Sequence, residues 1–243
     1  MDFDLTEDQK EIKNVARELL AARSPFAKVR EAAEADAYDD ALWREIVELG
    51  WPGIAVSEEY GGQGLGAVEL AVLLEELGYA CAATPLFSTA VAASVIQATG
   101  SDEQRERWLP GLVSGELTAA VGSPDLAADG YGAQLAVLID GDTARLLPSP
   151  SSDLLRTIDS TRRYATVSGD GEALGGGASA RVYAALAAEI VGISQRALDM
   201  TLEYVKERKQ FGVPVGSFQA VAHRCAQMLL HTESARSTAY FAA

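Results

Sequence analysis

The sequence predicts a mainly α protein with a small β insert, arranged as an N-terminal helical bundle, a reduced β-domain and a C-terminal helical pair. Helical periodicity of apolar residues dominates both ends of the chain. From about Thr118, short strand-like runs and turn residues replace that periodicity. We therefore expect an N-terminal helical domain over 1–117, a reduced middle β-domain over 118–177 and a partial C-terminal helical domain over 178–243.

Composition limits the function classes. The 243 residues are 48% hydrophobic and 23% charged, as in a soluble globular protein. The formal net charge of −15 argues against nucleic acid or an anionic membrane surface as a partner. The chain shows neither a signal-peptide pattern nor an apolar run long enough to span a membrane, so we expect a cytoplasmic protein.

Cysteine and histidine usage gives no sign of a disulfide or a metal site. Cys81 and Cys225 both lie in apolar helical patterns, which predicts buried thiols rather than a disulfide or a redox pair. His223 and His231 are too few and too isolated for a metal cluster. We therefore expect no metal.

Two capping boxes begin helices in the N-terminal part, at Thr6-Glu7-Asp8-Gln9 and at Ser101-Asp102-Glu103-Gln104. The helix after the second box is expected to include Trp108 and to precede Pro110. Apolar periodicity predicts three further helices between the boxes, over 39–49, 67–79 and 89–98.

Two features of the N-terminal part superficially resemble functional sites, but their spacing does not support such a role. The glycine-rich stretch 57–66 predicts a loop, but its spacing does not fit a dinucleotide-binding motif and no strand–helix unit frames it. Glu75 and Glu76 suggest paired carboxylates for acid–base work, yet adjacent residues on a helix do not face each other. We interpret them as a solvated edge of the helix.

The middle part predicts a β-hairpin. Residues 135–139 and 143–147 flank Asp140-Gly141-Asp142, a plausible hairpin turn. Residues 163–168 predict another strand, and Gly175-Gly176-Gly177 forms a flexible link to the last helical pair.

The last pair of helices carries two apolar stripes joined by a cationic turn. The first stripe has steps of three or four residues and consists of Val182, Leu186, Ile190, Ile193, Ala197, Met200 and Tyr204. The second stripe runs through Phe218, Val221, Cys225, Met228 and Leu229. Between them, Gly212 and Pro214 interrupt the helical pattern. Arg208, Phe211 and Gln219 therefore lie at the shoulder of a helical hairpin.

Two interpretations of this shoulder stay open from the residues alone. A guanidinium beside a side-chain amide suits a phosphate or pyrophosphate, and Phe211 can stack on a planar ring. Lys206 and Lys209 make the surroundings of Arg208 a local basic patch. Alternatively, Arg208 is a cation at a helix C-terminus, stabilised by the helix dipole, and Phe211 packs the turn.

The shoulder resembles a motif of the acyl-CoA dehydrogenase family. Arg208-Lys209-Gln210-Phe211-Gly212, followed by Phe218-Gln219-Ala220, resembles the Arg-x-x-Phe-Gly…Gln motif, and 191–199 resembles the helix before it. Asp159 to Arg163 resembles the Asp-x-Thr-Arg-Arg segment of the family's middle domain. The N-terminal half matches in order at Leu49-Gly50-Trp51, Glu58 to Gly62, Glu75 to Gly78, and Gly100 to Glu116.

The resemblance implies an FAD-dependent enzyme of lipid metabolism. The family removes two hydrogens from the α and β carbons of an acyl-CoA thioester. Its residues matching Arg208 and Gln219 reach across a subunit interface to the pyrophosphate of a flavin bound mainly by the neighbour, and that matching Phe211 packs by the adenine side. The implied partners are an acyl-CoA substrate, a homologous subunit and an electron-transfer acceptor; the sequence leaves the acyl group and the acceptor open.

The chain also departs from the family's pattern. The family segment Thr-Glu-Pro…Gly-Ser-Asp, which contacts flavin and substrate, corresponds to 120–126 here and lacks the acidic residue before Pro124. A strand that covers the isoalloxazine ring is deleted around Gln134, and 118–177 is too short for the usual two-sheet domain. Family members continue with two more helices, which are missing from this sequence.

No catalytic base is identified. The family's glutamate usually lies beyond the end of this chain, and the alternative position near Arg181 offers only Ala180, Arg181 and Val182, none of which can abstract a proton. Glu189 lies about two turns further along the helix, too far to be the favoured base.

These observations lead to one main hypothesis. We expect a subunit of a hetero-oligomeric acyl-CoA dehydrogenase whose partner supplies the base and much of the flavin site, with a steroid-derived CoA thioester as a possible substrate by analogy. The last helical pair is expected to leave an apolar face uncovered, which favours association. The alternatives are a conventional homo-oligomeric dehydrogenase seen as a truncated chain, and a non-catalytic structural relative.

Overall fold

The computed structural model describes residues 4–243. Six helices form the N-terminal part: α1 (Glu7–Arg23), α2 (Phe26–Ala35), α3 (Asp40–Glu48), α4 (Ala67–Ala80), α5 (Leu86–Thr99) and α6 (Asp102–Val113). Two long helices, α7 (Ala178–Glu207) and α8 (Gln219–Ala242), form an antiparallel hairpin after the sheet. The expected fold class, mainly α with a small β insert, is confirmed.

The middle part is one sheet of seven short strands. They are β1 (Ala119–Ser123), β2 (Leu126–Ala128), β3 (Leu135–Asp140), β4 (Thr143–Pro148), β5 (Ser151–Leu154), β6 (Ala165–Ser168) and β7 (Glu172–Ala173). The strand order is β5-β6-β2-β1-β3-β4-β7, and only the β1–β3 pair is parallel. A single sheet agrees with the expected reduction of this part of the chain.

Most predicted elements are present with small shifts. Both capping boxes form, and the β3–β4 hairpin turns at Gly141, whose φ is +58°. α5 begins three residues earlier than predicted, and α6 continues through Pro110 to Val113. The sequence missed α2 and the strands β1, β2, β5 and β7.

The core lies where α4 and α5 are enclosed by the other helices and by one face of the sheet. Leu73, Leu74 and Leu77 of α4 and Ile96 of α5 are almost fully buried. α4 packs directly against α7 because both carry glycine at the contact: a Cβ at Gly192 would lie 1.8 Å from the carbonyl oxygen of Glu75. The crossing of these two helices fixes the position of the hairpin on the bundle.

The interpretation of Glu75 and Glu76 as a solvated edge is wrong. Each residue is only 1% exposed, because α4 is covered by α1 on one side and by α7 and α8 on the other. The buried charges are compensated by cations. Lys13 lies 2.9 Å from Oε1 of Glu75, and Arg17 of α1 pairs with both carboxylate oxygens of Glu76.

The hairpin of α7 and α8 leaves an apolar face uncovered, as expected from the sequence. Of the first predicted stripe, Val182 is buried and the larger side chains are 40–61% exposed, namely Leu186, Ile190, Ile193, Met200 and Tyr204. Small residues of α7, such as Ala188 and Gly192, face the core instead. In residues 4–243, no helix has both the length and the apolarity required to cross a bilayer.

The two cysteines differ in environment. Cys225 on α8 is buried, as predicted, whereas Cys81 is only half-buried because it ends α4 in a left-handed conformation with φ of +51°. Both are free thiols.

Candidate cofactor-contacting site

The turn between α7 and α8 is a miniature hairpin. Lys209–Gln210 and Val213–Pro214 pair as two antiparallel strands, β8 and β9. Phe211 and Gly212 between them have φ of +52° and +81°, the combination that a type I′ turn requires. A phenylalanine with positive φ is uncommon, and such outliers cluster at functional sites.

Backbone hydrogen bonds hold Arg208 at the base of this turn. Its N–H donates to the Tyr204 carbonyl at 2.8 Å, and its own carbonyl accepts from the Val215 N–H at 2.7 Å. A short 3₁₀ turn, Val215–Ser217, then leads into α8, whose first residue is Gln219. The structure therefore brings Arg208, Phe211 and Gln219 to one end of the hairpin, as predicted.

All three side chains point away from the chain's own core. Phe211 is 93% exposed, and its ring meets Phe218 edge-on with centroids 6.2 Å apart. Arg208 and Gln219 are exposed, and within residues 4–243 neither side chain makes a hydrogen bond or an ion pair. An unpaired guanidinium and amide, together with an exposed aromatic ring, have the chemistry to contact a phosphate-bearing, ring-containing ligand.

The segment aligned with the family's flavin-contacting stretch forms the β1–β2 hairpin. Ala119–Ser123 and Leu126–Ala128 pair tightly around Pro124, whose carbonyl accepts from the Val167 N–H at 2.8 Å. After β2, Asp129 is buried and accepts from Ser88 Oγ at 2.6 Å and Tyr38 Oη at 2.8 Å. This loop is thus tied to the helical bundle.

The position expected for an alternative base offers no carboxylate. Ala180 and Arg181 border a cleft of about 300 Å³ at the start of α7, which is lined mainly by small side chains of α4, α5 and α7. Among the described residues around this cleft there is no Asp or Glu side chain. A proton acceptor for substrate chemistry is therefore not found there.

Glu189 is buried and occupied by an ion pair. Its carboxylate accepts from Arg162, and the two side chains are 6% and 11% exposed. Burial raises the pKa of Glu189 to about 7, while the Arg162 charge opposes the increase. The guanidinium of Arg162 also lies 4.6 Å from the Phe87 ring centroid. Glu189 thus joins α7 to the segment between β5 and β6 and is not free to serve as a base.

The sequence analysis missed a second group of polar side chains at the crossing of α1, α4 and α7. Tyr79 lies against the guanidiniums of Arg17 and Arg196, and its phenolic O–H donates to Asp199 at 2.9 Å. The sequence did contain a signal for buried polar contacts here. Because α4 is apolar on all sides, charged residues in it must be buried and paired.

Comparisons with known proteins agree with the geometry. The family model described as "Acyl-CoA dehydrogenase, N-terminal domain" matches residues 6–116, and "Acyl-CoA dehydrogenase, C-terminal domain" matches residues 181–243. Acyl-CoA dehydrogenase IpdE2 of Mycolicibacterium smegmatis is 34% identical over 97% of this chain and 76% of its own length. The Mycobacterium tuberculosis protein of the same name is 32% identical over 95% and 74%.

Solved structures show the same architecture. The Tcur3481–Tcur3483 steroid ACAD matches with a TM-score of 0.85 and 30% identity, over 97% of this chain and 77% of the other. The ChsE4–ChsE5 complex from Mycobacterium tuberculosis matches with a TM-score of 0.87 over 99% and 78%; at 24% identity, this likeness concerns the fold alone.

The two family matches, which cover both helical parts of the chain, show a flavin-dependent oxidoreductase acting on acyl thioesters. The chain belongs to the acyl-CoA dehydrogenase family, whose cofactor is FAD.

Proposed function

We propose that this chain is one subunit of a hetero-oligomeric acyl-CoA dehydrogenase, in which Arg208, Phe211 and Gln219 contact FAD held mainly by a homologous partner. The observation that carries the proposal is the exposed turn: three side chains of matching chemistry point outward, and those of Arg208 and Gln219 make no hydrogen bond or ion pair within residues 4–243. A ligand bound inside this chain's own helical bundle would instead be contacted by side chains that point into the bundle.

The side chains of this turn suit the pyrophosphate and the adenine of FAD. The planar fork of Arg208 can donate two parallel hydrogen bonds to phosphate oxygens, and the Gln219 amide can add a neutral donor. Phe211 offers an open aromatic face to the adenine. When bound, FAD would accept the hydride that leaves the acyl β carbon during α,β-dehydrogenation.

The uncovered apolar face of α7 supports association. Large side chains exposed along one helix face, such as Ile190 and Ile193, favour burial against another surface. Without a ligand held by another subunit, the exposed side chain of Arg208 would have nothing to bind. The apolar face of α7 and the turn at Arg208 therefore favour the same arrangement, in which a second subunit lies along the α7–α8 hairpin.

The partner would supply the catalytic base. Within residues 4–243, the position near Arg181 lacks a carboxylate and Glu189 is locked to Arg162. Two of the similar structures are named for two proteins each, Tcur3481–Tcur3483 and ChsE4–ChsE5. This supports a partner that is homologous but different. We propose a steroid-derived CoA thioester as the substrate, because Tcur3481–Tcur3483 is a steroid ACAD that is 30% identical to this chain.

Co-expression with a homologous acyl-CoA dehydrogenase that retains its glutamate base tests the proposal. We expect a yellow complex that contains both chains, shows a flavin absorption spectrum and turns over a steroid CoA thioester. Homomers of this chain that bind FAD and turn over alone would contradict it in favour of a conventional dehydrogenase. Complexes that remain colourless with every partner would contradict it in favour of a structural role.

We further propose a cytoplasmic location. The free thiols of Cys81 and Cys225 suit a reducing compartment. Fractionation of the native cells should recover the chain in the cytosol; recovery with membranes or in the medium would contradict this.

A further inference from the structure

A second cleft, outside the cofactor-contacting turn, is built around Tyr79. It has a volume of about 230 Å³ and lies where the end of α1, the start of α2, the end of α4 and the middle of α7 meet. Its principal lining residues are Arg17, Leu20, Phe26, Glu76, Tyr79 and Arg196, and these six residues define the Tyr79 cleft.

The two arginines of the Tyr79 cleft differ in charge balance. Arg17 donates through Nε and Nη2 to the buried carboxylate of Glu76, so its charge is neutralised within the protein. Within residues 4–243, Arg196 has no carboxylate at ion-pair distance, and its only hydrogen bond is from Nη1 to the Tyr79 oxygen at 3.3 Å. The residues that line the cleft therefore include two guanidiniums and one carboxylate, and that carboxylate is paired with Arg17 rather than with Arg196.

Two aromatic rings hold the guanidinium of Arg196 in place before any ligand binds. Its guanidinium carbon lies 4.6 Å from the Phe26 ring centroid and 5.1 Å from that of Tyr79. Asp199, one turn along α7, forms no ion pair with Arg196 within 4.0 Å, and its carboxylate accepts hydrogen bonds from Tyr79 and Gln195. The result is a half-buried, oriented fork of donors that borders the cleft and, within residues 4–243, forms no ion pair.

Apart from Ser24, the rest of the cleft is apolar. Phe26 is 41% exposed and forms one wall, and Leu20 closes the floor. The volume is below the range of drug-sized sites, about 300–1,000 Å³, so the ligand is small. A phosphate carries more charge than the cleft balances and has no apolar body to cover Phe26. A monocarboxylate matches both the single charge and the planar fork.

We propose that the Tyr79 cleft binds a small monocarboxylate with an aromatic or branched apolar body. The carboxylate accepts hydrogen bonds from Arg196, and the body packs against Phe26 and Leu20. The site lies away from Arg208, so its test is independent of the flavin proposal.

Benzoate serves as the probe, with neutral benzamide as its isostere. Titration of the full chain, followed by calorimetry and by ligand-observed NMR, should give saturable benzoate binding and at least tenfold weaker benzamide binding. Arg196→Gln should weaken benzoate binding by about tenfold or more, because a hydrogen bond to a charged group usually contributes that much to affinity. Arg181→Gln, on the same helix but in the other cleft, is the matched control and should leave binding unchanged.

Phe26→Ala provides a second variant that keeps all charges and removes a half-exposed side chain. It should also weaken benzoate binding while circular dichroism stays that of the wild type. The proposal is overturned if benzoate does not bind, if benzamide binds equally well, or if both Arg196→Gln and Phe26→Ala bind benzoate like the wild type.

Discussion

Tyr240, in the last turn of α8, donates its phenolic O–H to Oε2 of Glu75 on α4 over 2.5 Å. The same carboxylate accepts from Lys13 at 2.9 Å and from Arg236 at 3.2 Å. Glu75 is therefore a buried anion shared by α1, α4 and α8. Because groups of both α1 and α8 compensate its charge, Glu75 attaches the end of the α7–α8 hairpin to the N-terminal bundle.

Removing the Tyr240 hydroxyl should loosen this attachment. Tyr240→Phe is expected to lower the free energy of unfolding by about 1–3 kcal/mol, since a hydrogen bond to a buried charge is lost. Urea unfolding followed by circular dichroism measures the change. Tyr183→Phe, on an exposed side chain of α7, is the control and should stay within about 0.5 kcal/mol of the wild type.

The Glu75 network also predicts a pH dependence. Burial acts to raise the pKa of Glu75, but Lys13, Tyr240 and Arg236 outweigh it, and the pKa is lowered from the ordinary value of 4.5. The stabilisation is thus fully present above pH 4.5 and is lost as the pH falls through the depressed pKa.

Glu75→Gln should therefore be less stable than the wild type near neutral pH, and the difference should shrink below pH 4.5. Unfolding free energies measured at a series of pH values test this. A difference that stays constant, or grows with acidification, would show that the Glu75 charge is not what stabilises the hairpin.

The contact of α4 with α7 depends on the absence of a side chain at Gly192. Gly192→Ala places a Cβ 1.8 Å from the Glu75 carbonyl oxygen, so the helices must move apart. We expect a loss of about 1–3 kcal/mol in stability, although alanine is the better helix former. Gly176→Ala, where nothing lies within 4 Å, is the matched control. Equal thermal midpoints for the two variants would refute the close contact.

The apolar face of α7 should govern association rather than folding. Ile190 is 50% exposed, so Ile190→Glu should leave the unfolding midpoint near that of the wild type. In sedimentation velocity, the variant should lose the oligomer formed with the partner subunit. Val15→Glu on α1, with a similarly exposed side chain at 41%, is expected to associate normally. Unchanged oligomers in the Ile190 variant would place the interface elsewhere.

Much of the helical fold could be predicted because its signals are local. The capping boxes at Thr6 and Ser101 specify where helices begin, and both form as expected. α2 was missed because Pro25 precedes it without a side-chain cap. The parallel pairing of β1 with β3 depends on tertiary contacts, and short strands carry little periodicity of their own.

The candidate site likewise has one part that could be predicted from the sequence and other parts that could not. The cationic turn at Arg208 is contiguous in sequence, so its motif could be recognised. The Tyr79–Arg196 and Arg162–Glu189 contacts join residues 117 and 27 positions apart, and only the fold brings them together. The stripe on α7 was found correctly, but the sequence could not say that small residues such as Gly192 face the core.

The central claim is that Arg208 serves a flavin bound by a partner subunit. Its most direct test is the dissociation constant of FAD for the complex of this chain with its partner, measured by flavin fluorescence. Arg208→Gln should weaken FAD binding by about tenfold or more, and Arg224→Gln, an exposed arginine further along α8, should not. Equal FAD affinity in the wild type and the Arg208 variant would contradict the proposed role of this turn.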